Sequence, residues 1–365
     1  MSDIGRPTWS IAPPGVRTLV YAESQRCHYR LNNPWEQPPG RIGDYLRPFT
    51  IPPQQYIEAT RAHLVSMIGV VKPCRILHET TPFLRLEGRR ACLLAAQAHL
   101  RATETIADTV IPLVDFRGWH GGYFHWFLDF LPRVLVAERH QHQNGGAVRL
   151  LVAERLSAWQ MESLDRLGHP VDSLLPYKSR TGGSTIIRCR SLLAAASHRH
   201  QHESEAPFDA ISPIHLKQLA ERLGSPEHSR TAAGMPRRVF VSRRGARSRR
   251  IANEAEVSSY LEPYGFSTIQ LEKLSLSEQI RLFRDATHVI GVHGAGFTNL
   301  MHATNCSVLE LFASAHGIRP DYFQIASIQK LDYHFHCLPS LNGSHDIHLP
   351  LQLLDDFLAV APSER

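Results

Sequence analysis

The 365-residue sequence has no two cysteines spaced as Cys-x-x-Cys. Its six cysteines, Cys27, Cys74, Cys92, Cys189, Cys306 and Cys337, are scattered. Such spacing indicates neither a zinc site nor a dense disulfide framework. No apolar run reaches the roughly 18 residues that span a bilayer, and the start, Met-Ser-Asp-Ile-Gly-Arg-Pro, has no apolar signal region. A reduced, cytoplasmic protein without a transmembrane segment is expected, with peripheral contact to a membrane surface left open. No Asp-x-Asp occurs, which argues against a metal-held diphosphate, and no internal repeat is evident. Charge is mild for the length: +6, with an isoelectric point near 9.1. That balance favours an anionic ligand without establishing nucleic-acid binding. Hydrophobic residues make up 43% and charged residues 20%, as in soluble globular proteins, and the length allows one large or two ordinary domains.

What is present is concentrated in a few stretches. Val289-Ile290-Gly291-Val292 reads as a strand, His293-Gly294-Ala295-Gly296 as a turn, and Phe297 onward as the start of a helix. Strand, glycine turn and helix in that order aim main-chain N–H groups at one point, which suits phosphate. His293 and Asn299 flank the point as side-chain donors. The next apolar run, Ser307 to Phe312, reads as a parallel strand with Glu310 near its C-terminal end, where open α/β sheets place ligands. A carboxylate there can accept from ribose hydroxyls. The competing reading is a glycine turn that only permits tight packing.

Upstream, Arg238 to Ser242 is strand-like, and Arg243, Arg244, Arg247, Arg249 and Arg250 crowd the loop after it. Guanidinium forks suit diphosphate oxygens. A solvated basic loop or a nucleic-acid patch is the alternative, and the absence of interleaved aromatics disfavours the latter. A helix from Asn253-Glu254, a strand at Gly265–Ile269, and a helix opened by the capping box Ser275-Leu276-Ser277-Glu278 complete a β-α-β-α-β-turn-α-β unit, a Rossmann-like half.

The first half holds Trp119-His120-Gly121-Gly122-Tyr123-Phe124-His125-Trp126-Phe127-Leu128-Asp129-Phe130-Leu131-Pro132-Arg133. On a helix His125 and Asp129 share a face, Arg133 extends it, and Pro132 bends or restarts the helix. The remaining faces are aromatic or aliphatic. A carboxylate against such a wall is either a general base or one half of a buried His–Asp pair that anchors the helix. Strand-like runs at 110–114, 147–152, 184–189 and 191–194, with an amphipathic helix at 156–167, argue for parallel α/β units. Proline pairs at 13–14, 38–39 and 52–53 make residues 1–55 an irregular arm, expected to pack on a first domain of 56–205. A linker at 206–236 follows, then a second domain at 237–345 and a helical tail at 346–365, expected to pack back on the first domain. His198, His200 and His202 precede the linker, and an exposed polar segment explains them better than a metal cluster.

Five segments together, 123–133, 240–243, 249–254, 274–280 and 291–299, resemble the family 61 glycosyltransferases, over about residues 120 to 315. That family includes plant xylosyl- and arabinosyltransferases, animal O-linked GlcNAc transferases and bacterial members from polysaccharide gene clusters. The resemblance implies an α/β fold of GT-B type, two Rossmann-like domains facing across a cleft, and inverting transfer without cofactor or essential metal. It implies a nucleotide-sugar donor, a UDP-sugar in the first instance, and a glycan or lipid-linked glycan acceptor in surface polysaccharide synthesis, with no nucleic acid involved. Arg243, Arg250, His293, Gly294, Ala295, Gly296, Asn299 and Glu310 would hold the donor. Asp129 would be the base, with His125 orienting it or replacing it, and Trp126 and Arg133 would lie on the acceptor side. A pyruvyl transferase acting on polysaccharide, or a non-catalytic nucleotide- or sugar-binding module, would share much of this pattern.

Overall fold

A computed structural model describes residues 15–31, 40–65, 68–71, 75–77, 104–115, 118–177, 185–194, 209–225 and 234–360. The histidines at 198, 200 and 202 lie outside these residues. The chain divides into two compact units, Met1–Arg26 with Thr50–His215, and Cys27–Phe49 with Leu216–Arg365.

The strands are β1 (Val16–Ala22), β2 (Gln25–Cys27), β3 (Phe49–Ile51), β4 (Gln54–Thr60), β5 (His63–Val65), β6 (Ile68–Val71), β7 (Arg75–Leu77), β8 (Glu104–Pro112), β9 (Val148–Ala153), β10 (Leu175–Tyr177) and β11 (Ile186–Ala194), then β12 (Arg238–Val241), β13 (Phe266–Ile269), β14 (His288–Val292), β15 (Ser307–Ala313) and β16 (Asp332–Leu338). In the first unit β10, β9, β8 and β11 lie side by side in that order and run parallel. The next two strands in sequence extend one side of β8 and the fourth lies on its other side. The order therefore reverses at β8, the kind of switch point where α/β sheets bind ligands. Ile187, Leu192, Val110 and Leu151 fill this sheet's core. Beyond β11 the sheet turns antiparallel: β4 and β5 share one edge of β11, β1 adds to β4, and β6 and β7 continue from β5. The first unit is thus a mixed sheet with a parallel Rossmann-like part, rather than Rossmann-like throughout.

The aromatic helix is not uniform. One α-turn, α2 (Tyr123–His125), runs into a π-helical turn at Trp126–Phe130 and then α3 (Pro132–Asn144); α1 (Gly40–Gly43) precedes them in the chain. Pro132 has no N–H for the Leu128 carbonyl, and in a regular helix its ring would strike that oxygen. The wider turn relieves the conflict: the Leu131 N–H donates to Trp126 O, five residues back, at 2.8 Å. Trp126, Phe127, Leu128, Phe130 and Leu131 are all buried, as expected of a segment apolar on nearly every face.

The second unit carries a fully parallel sheet in the order β13-β12-β14-β15-β16, with a switch point between β12 and β14. The remaining helices are α4 (Ala158–Arg166), α5 (Pro213–Leu223), α6 (Glu254–Leu261), α7 (Leu276–Asp285), α8 (Asp321–Gln329) and α9 (Gln352–Val360). Ser275 and Glu278 form the capping box predicted for α7, with the Glu278 N–H donating to Ser275 Oγ and the Ser275 N–H to Glu278 Oε2.

Two expectations about the chain ends need correcting. The tail belongs to the core of the second unit: Leu354 and Phe357 of α9 join Phe240, Val257, Leu261 and Ile290 there. Residues 1–55 are not a plain arm either. β1 is a full strand of the first sheet, whereas Tyr29, Tyr45 and Phe49 form an aromatic cluster against Phe323 of the second unit. Proline pairs mark where long helices cannot form, but they do not exclude strands. The region expected to be a linker holds α5, with the boundary between units inside it.

Phe357 is 1% exposed. Phe357→Ala should therefore cost about 3–5 kcal/mol in urea-induced unfolding; a loss below about 1 kcal/mol would remove the tail from the second core.

Candidate active site

The two stretches that the sequence singled out in the second half flank its switch point. Ser242 to Arg250 follows β12, and His293 to Gly296 follows β14, the neighbouring parallel strand. Ser242 Oγ donates to Glu254 Oε1 at 2.7 Å and the Arg243 N–H to Glu254 Oε2 at 3.2 Å, so the first acid of α6 holds the loop's entry. The Arg243 side chain then folds back, with Nε donating to Arg249 O and Nη2 to Ser248 O, both at 3.1 Å. Its guanidinium lies against Gly294 so closely that a Cβ there would overlap it. A Cβ at Gly296 would meet Leu271 Cδ1 at 2.5 Å. The glycine turn therefore serves packing, and what it admits at Gly294 is a cation. Ala295 and Gly296 are partly exposed and open a 3-10 helix, Ala295–His302, whose first N–H groups have no acceptor within the helix.

Arg249, which was not among the expected donor residues, stands beside Arg243. Its backbone is left-handed, φ 57°, unusual for a residue other than glycine. Nη1 donates to His293 O at 2.9 Å, while the buried Nε meets no hydrogen-bond partner among the described residues. Burial and the adjacent Arg249 lower Arg243 to about 10, and burial lowers Arg249. Among the described residues no carboxylate is within ion-pair distance of either guanidinium. His316, 3.4 Å from Arg249 Nη1, is pushed down to about 4, first by burial and then by the arginine, so it adds no positive charge at neutral pH. The result is two part-buried cations whose hydrogen bonds go to neutral groups, with Glu272 and Glu310 acting on them only at longer range, and an anion would relieve them.

Other expected donor residues are engaged elsewhere. Arg250 Nη2 donates to Asp346 Oδ2 at 2.7 Å and its N–H to Asp346 Oδ1 at 2.9 Å. Asn342 Nδ2 also donates to Asp346, and the Arg249 N–H to Ser344 O. Arg250 thus clamps the loop onto 342–346 and sets the unusual backbone of Arg249, and its own guanidinium is spent on that clamp. Glu310 is 0% exposed, with Oε1 2.5 Å from His293 Nδ1 and Oε2 accepting from Tyr333 OH at 2.5 Å. Burial raises its pKa, and the His293 and Tyr333 contacts oppose that rise. Both oxygens are taken, so the ribose contact expected of Glu310 is not available. Strand β15 is central and buried on both faces, which sequence alternation does not reveal. Asn299 Nδ2 donates to Gln279 Oε1 and Gly296 O, fastening the 3-10 helix to α7.

In the first unit the motif follows the C-terminal end of β8. His125 Nδ1 is 2.7 Å from Asp129 Oδ2 across the π-turn. Asp129 is 3% exposed, whereas the His125 side chain is 34% exposed. The imidazole, and not the carboxylate, is therefore the group a substrate can reach. Arg133 is wholly internal in role: Nε donates to Asp129 O at 3.2 Å and Nη1 to Pro112 O at 2.7 Å. Trp126 is 0% exposed, its Nε1 donating to Ser163 Oγ at 2.9 Å. Trp126 and Arg133 both fix the helix that carries the pair. Among the described residues no group of three or more His, Cys, Asp or Glu side chains is placed to hold a metal ion, and no helix is long and apolar enough to cross a membrane.

The close approach of Arg243 to Gly294 has a direct test. Gly294→Ala should destabilise the protein by about 1–3 kcal/mol, as overpacking does. In an Arg243→Ala background the same substitution should cost little, a non-additivity readable from the melting temperatures of the four proteins.

Comparison with known proteins bears on what these two clusters belong to. Residues 36% identical to the rice (Oryza sativa subsp. japonica) β-1,2-xylosyltransferase RCN11 extend over 101 positions, 25% of this chain and 18% of that protein. A β-1,2-xylosyltransferase of Arabidopsis thaliana is 38% identical over 65 positions, 18% of this chain and 12% of that one. The chain thus spans less than a fifth of the length of these curated relatives. Among solved structures, the dodecameric iron-containing heptosyltransferase TibC, in complex with ADP-D-β-D-heptose, aligns with 86% of this chain and 83% of its own at 13% identity, but at a TM-score of 0.31 the likeness is too slight to bear on the fold. The family model for glycosyltransferase 61 matches residues 123–309, from the aromatic turn ahead of His125 to the strand carrying Glu310, which is more than half of the 365 residues. With its glycine turn, its arginine loop and its His–Asp helix all inside that match, the chain belongs to glycosyltransferase family 61.

Proposed function

We propose that the protein is an inverting, metal-independent glycosyltransferase of GT-B type that moves a sugar from a UDP-sugar to a hydroxyl of a glycan acceptor. The observation that carries this reading is the pair of part-buried arginines, Arg243 and Arg249, which lie side by side and make no ion pair with a carboxylate among the described residues, Glu272 and Glu310 acting on them only from a distance. A nucleoside diphosphate supplies the missing negative charge, and its developing charge on departure is what such preorganised donors stabilise best. The partly exposed N–H groups at Ala295 and Gly296 add main-chain donors to the same end of the sheet.

His125 is the base in this reading, and Asp129 its orienting partner, as in a Ser-His-Asp triad. An ionised Asp129 that accepts from Nδ1–H makes Nε2 the nitrogen of His125 that receives the proton. The acceptor oxygen bonds to the donor's anomeric carbon as the bond from that carbon to the diphosphate oxygen breaks. The acceptor's proton passes to Nε2, the nucleoside diphosphate leaves with the bonding pair, and the anomeric configuration inverts. The reading requires both clusters to act on one donor and acceptor. The names of the two plant relatives make UDP-xylose the first donor to try, with UDP-glucose and UDP-GlcNAc beside it. A bacterial surface polysaccharide or its lipid-linked precursor, assembled in the cytoplasm, is the acceptor we favour.

His125→Ala should lower transfer by about 10²–10⁴-fold while UDP still binds. Arg243→Ala should weaken UDP binding about 10- to 100-fold, the range for losing one charge-assisted hydrogen bond, measured by calorimetry. If UDP binds the wild-type protein yet no UDP-sugar is ever consumed or hydrolysed, a binding module replaces the enzyme.

A further inference from the structure

A second His–Asp pair sits in the same motif, and the reaction proposed above leaves it unused. Asp115 lies three residues past the C-terminal end of β8, the strand at which the first sheet reverses its order. His120 lies in the short 3-10 turn Trp119–Gly121 that precedes the His125 helix. Its Nδ1 is 3.0 Å from Asp115 Oδ1, and its main-chain N–H reaches the same oxygen at 3.5 Å. Gln160 Nε2 donates to His120 O at 2.9 Å, tying the turn to α4. Asp115 is nearly buried, while the His120 side chain keeps 19% of its surface.

Both pairs therefore have the same build: a carboxylate with little or no exposure contacts Nδ1 of an imidazole that keeps part of its surface. They are also joined. The Phe130 ring packs edge-on to His120 at 6.0 Å between centroids, and the Arg133 guanidinium lies 4.6 Å over the same ring. Arg133 interacts electrostatically with Asp115 and with Asp129, so one internal cation serves both carboxylates. Burial would raise the Asp115 carboxyl, but the His120 hydrogen bond and the charges of His120 and Arg133 outweigh it and hold it below the usual range. An ionised Asp115 can only accept, so the 3.0 Å contact is a bond from Nδ1–H of His120, although the Asp115 N–H also approaches Nδ1 at 3.3 Å. The Nε2 lone pair is then left as an acceptor, and among the described residues no hydrogen bond to it is recorded.

One such imidazole is enough to take a proton. A second, one aromatic ring away from the helix turn that carries the first, suits a molecule with two adjacent hydroxyls. We propose that His120 is an acceptor-binding residue whose Nε2 accepts a hydrogen bond from the sugar hydroxyl next to the reacting one, so that the acceptor is selected as a vicinal diol; Asp115 positions it. The inference rests on the reading of His125 as the base, but its test does not need turnover.

Binding of methyl β-xyloside, methyl β-galactoside and methyl α-mannoside is measured by saturation-transfer NMR in the presence of UDP. The tightest binder is then compared with its monodeoxy analogues. Wild-type protein should bind one analogue, lacking a hydroxyl next to another that is needed, at least tenfold more weakly than the parent. A site built to hydrogen-bond a hydroxyl rejects the analogue that lacks it. In His120→Ala the parent and that analogue should bind alike. His120→Gln, whose amide oxygen offers an acceptor at similar reach, should restore part of the preference, and Asp115→Asn should weaken it. Melting temperature and UDP affinity check that each variant is folded. The proposal is overturned if no glycoside binds the wild-type protein, if His120→Ala keeps the full preference, or if it weakens parent and every analogue by the same factor. Loss of transfer in His125→Ala with these preferences intact would leave both readings standing. Transfer that survives His125→Ala would sink the base alone.

Discussion

The contact on which the arginine loop depends is the Arg243 guanidinium resting on the main chain at Gly294. It needs β12 and β14 to be adjacent and parallel, so that their following loops meet. It needs a residue without a Cβ at one position. It also needs the arginine loop to curl back on itself, so that the carbonyls of Ser248 and Arg249 occupy Nη2 and Nε. Those acceptors satisfy hydrogen bonds but carry no full charge. The cation is desolvated and its charge is unbalanced, which is unfavourable in isolation and favourable to an anionic ligand. The clamp of Arg250 and Asp346 keeps the loop in the strained form that places Arg249 beside it.

Several His–carboxylate pairs recur among the described residues, and burial separates the uses of three of them. His293 and Glu310 are both buried, with Tyr333 on the remaining oxygen, so the pair closes the inside of the second sheet. Stacking of His293 on Phe312 adds to that role. His125 with Asp129 and His120 with Asp115 bury the carboxylate and leave part of the imidazole outside. The chemistry of the two residue types is the same in all three. Only solvent access distinguishes a fastener from a group that can exchange a proton or a hydrogen bond with a substrate.

Much of the strand and helix order was legible in the residues. The β12-to-β15 run, the Ser275 capping box and the position of the break at Pro132 follow from local patterns: apolar runs, Ser-x-x-Glu, and an imino acid without an N–H. The form of that break was not. Pro132 excludes a regular α-turn, but a kink, a new helix or a π-turn would each satisfy it; packing of Trp126 and Phe130 selects the last. Glu310 misled for a related reason. The strand was correctly read, but it runs on to Ala313, so Glu310 stands at its middle, and a strand covered on both faces turns such a carboxylate inward.

Local sequence could specify that the chain would offer a glycine turn, an arginine loop and a His–Asp helix, because each is written in neighbouring residues. Which arginine meets the turn could not be read there. Arg243, Arg247, Arg249 and Arg250 are chemically alike, and their fates diverge through partners far away in sequence: Gly294 for the first, His293 for the third and Asp346 for the fourth. Exposure of His125 over Asp129, and the pairing of His120 with Asp115, likewise depend on which side of a folded wall each atom faces. That is a property of packing in three dimensions, and residue spacing along the chain does not encode it.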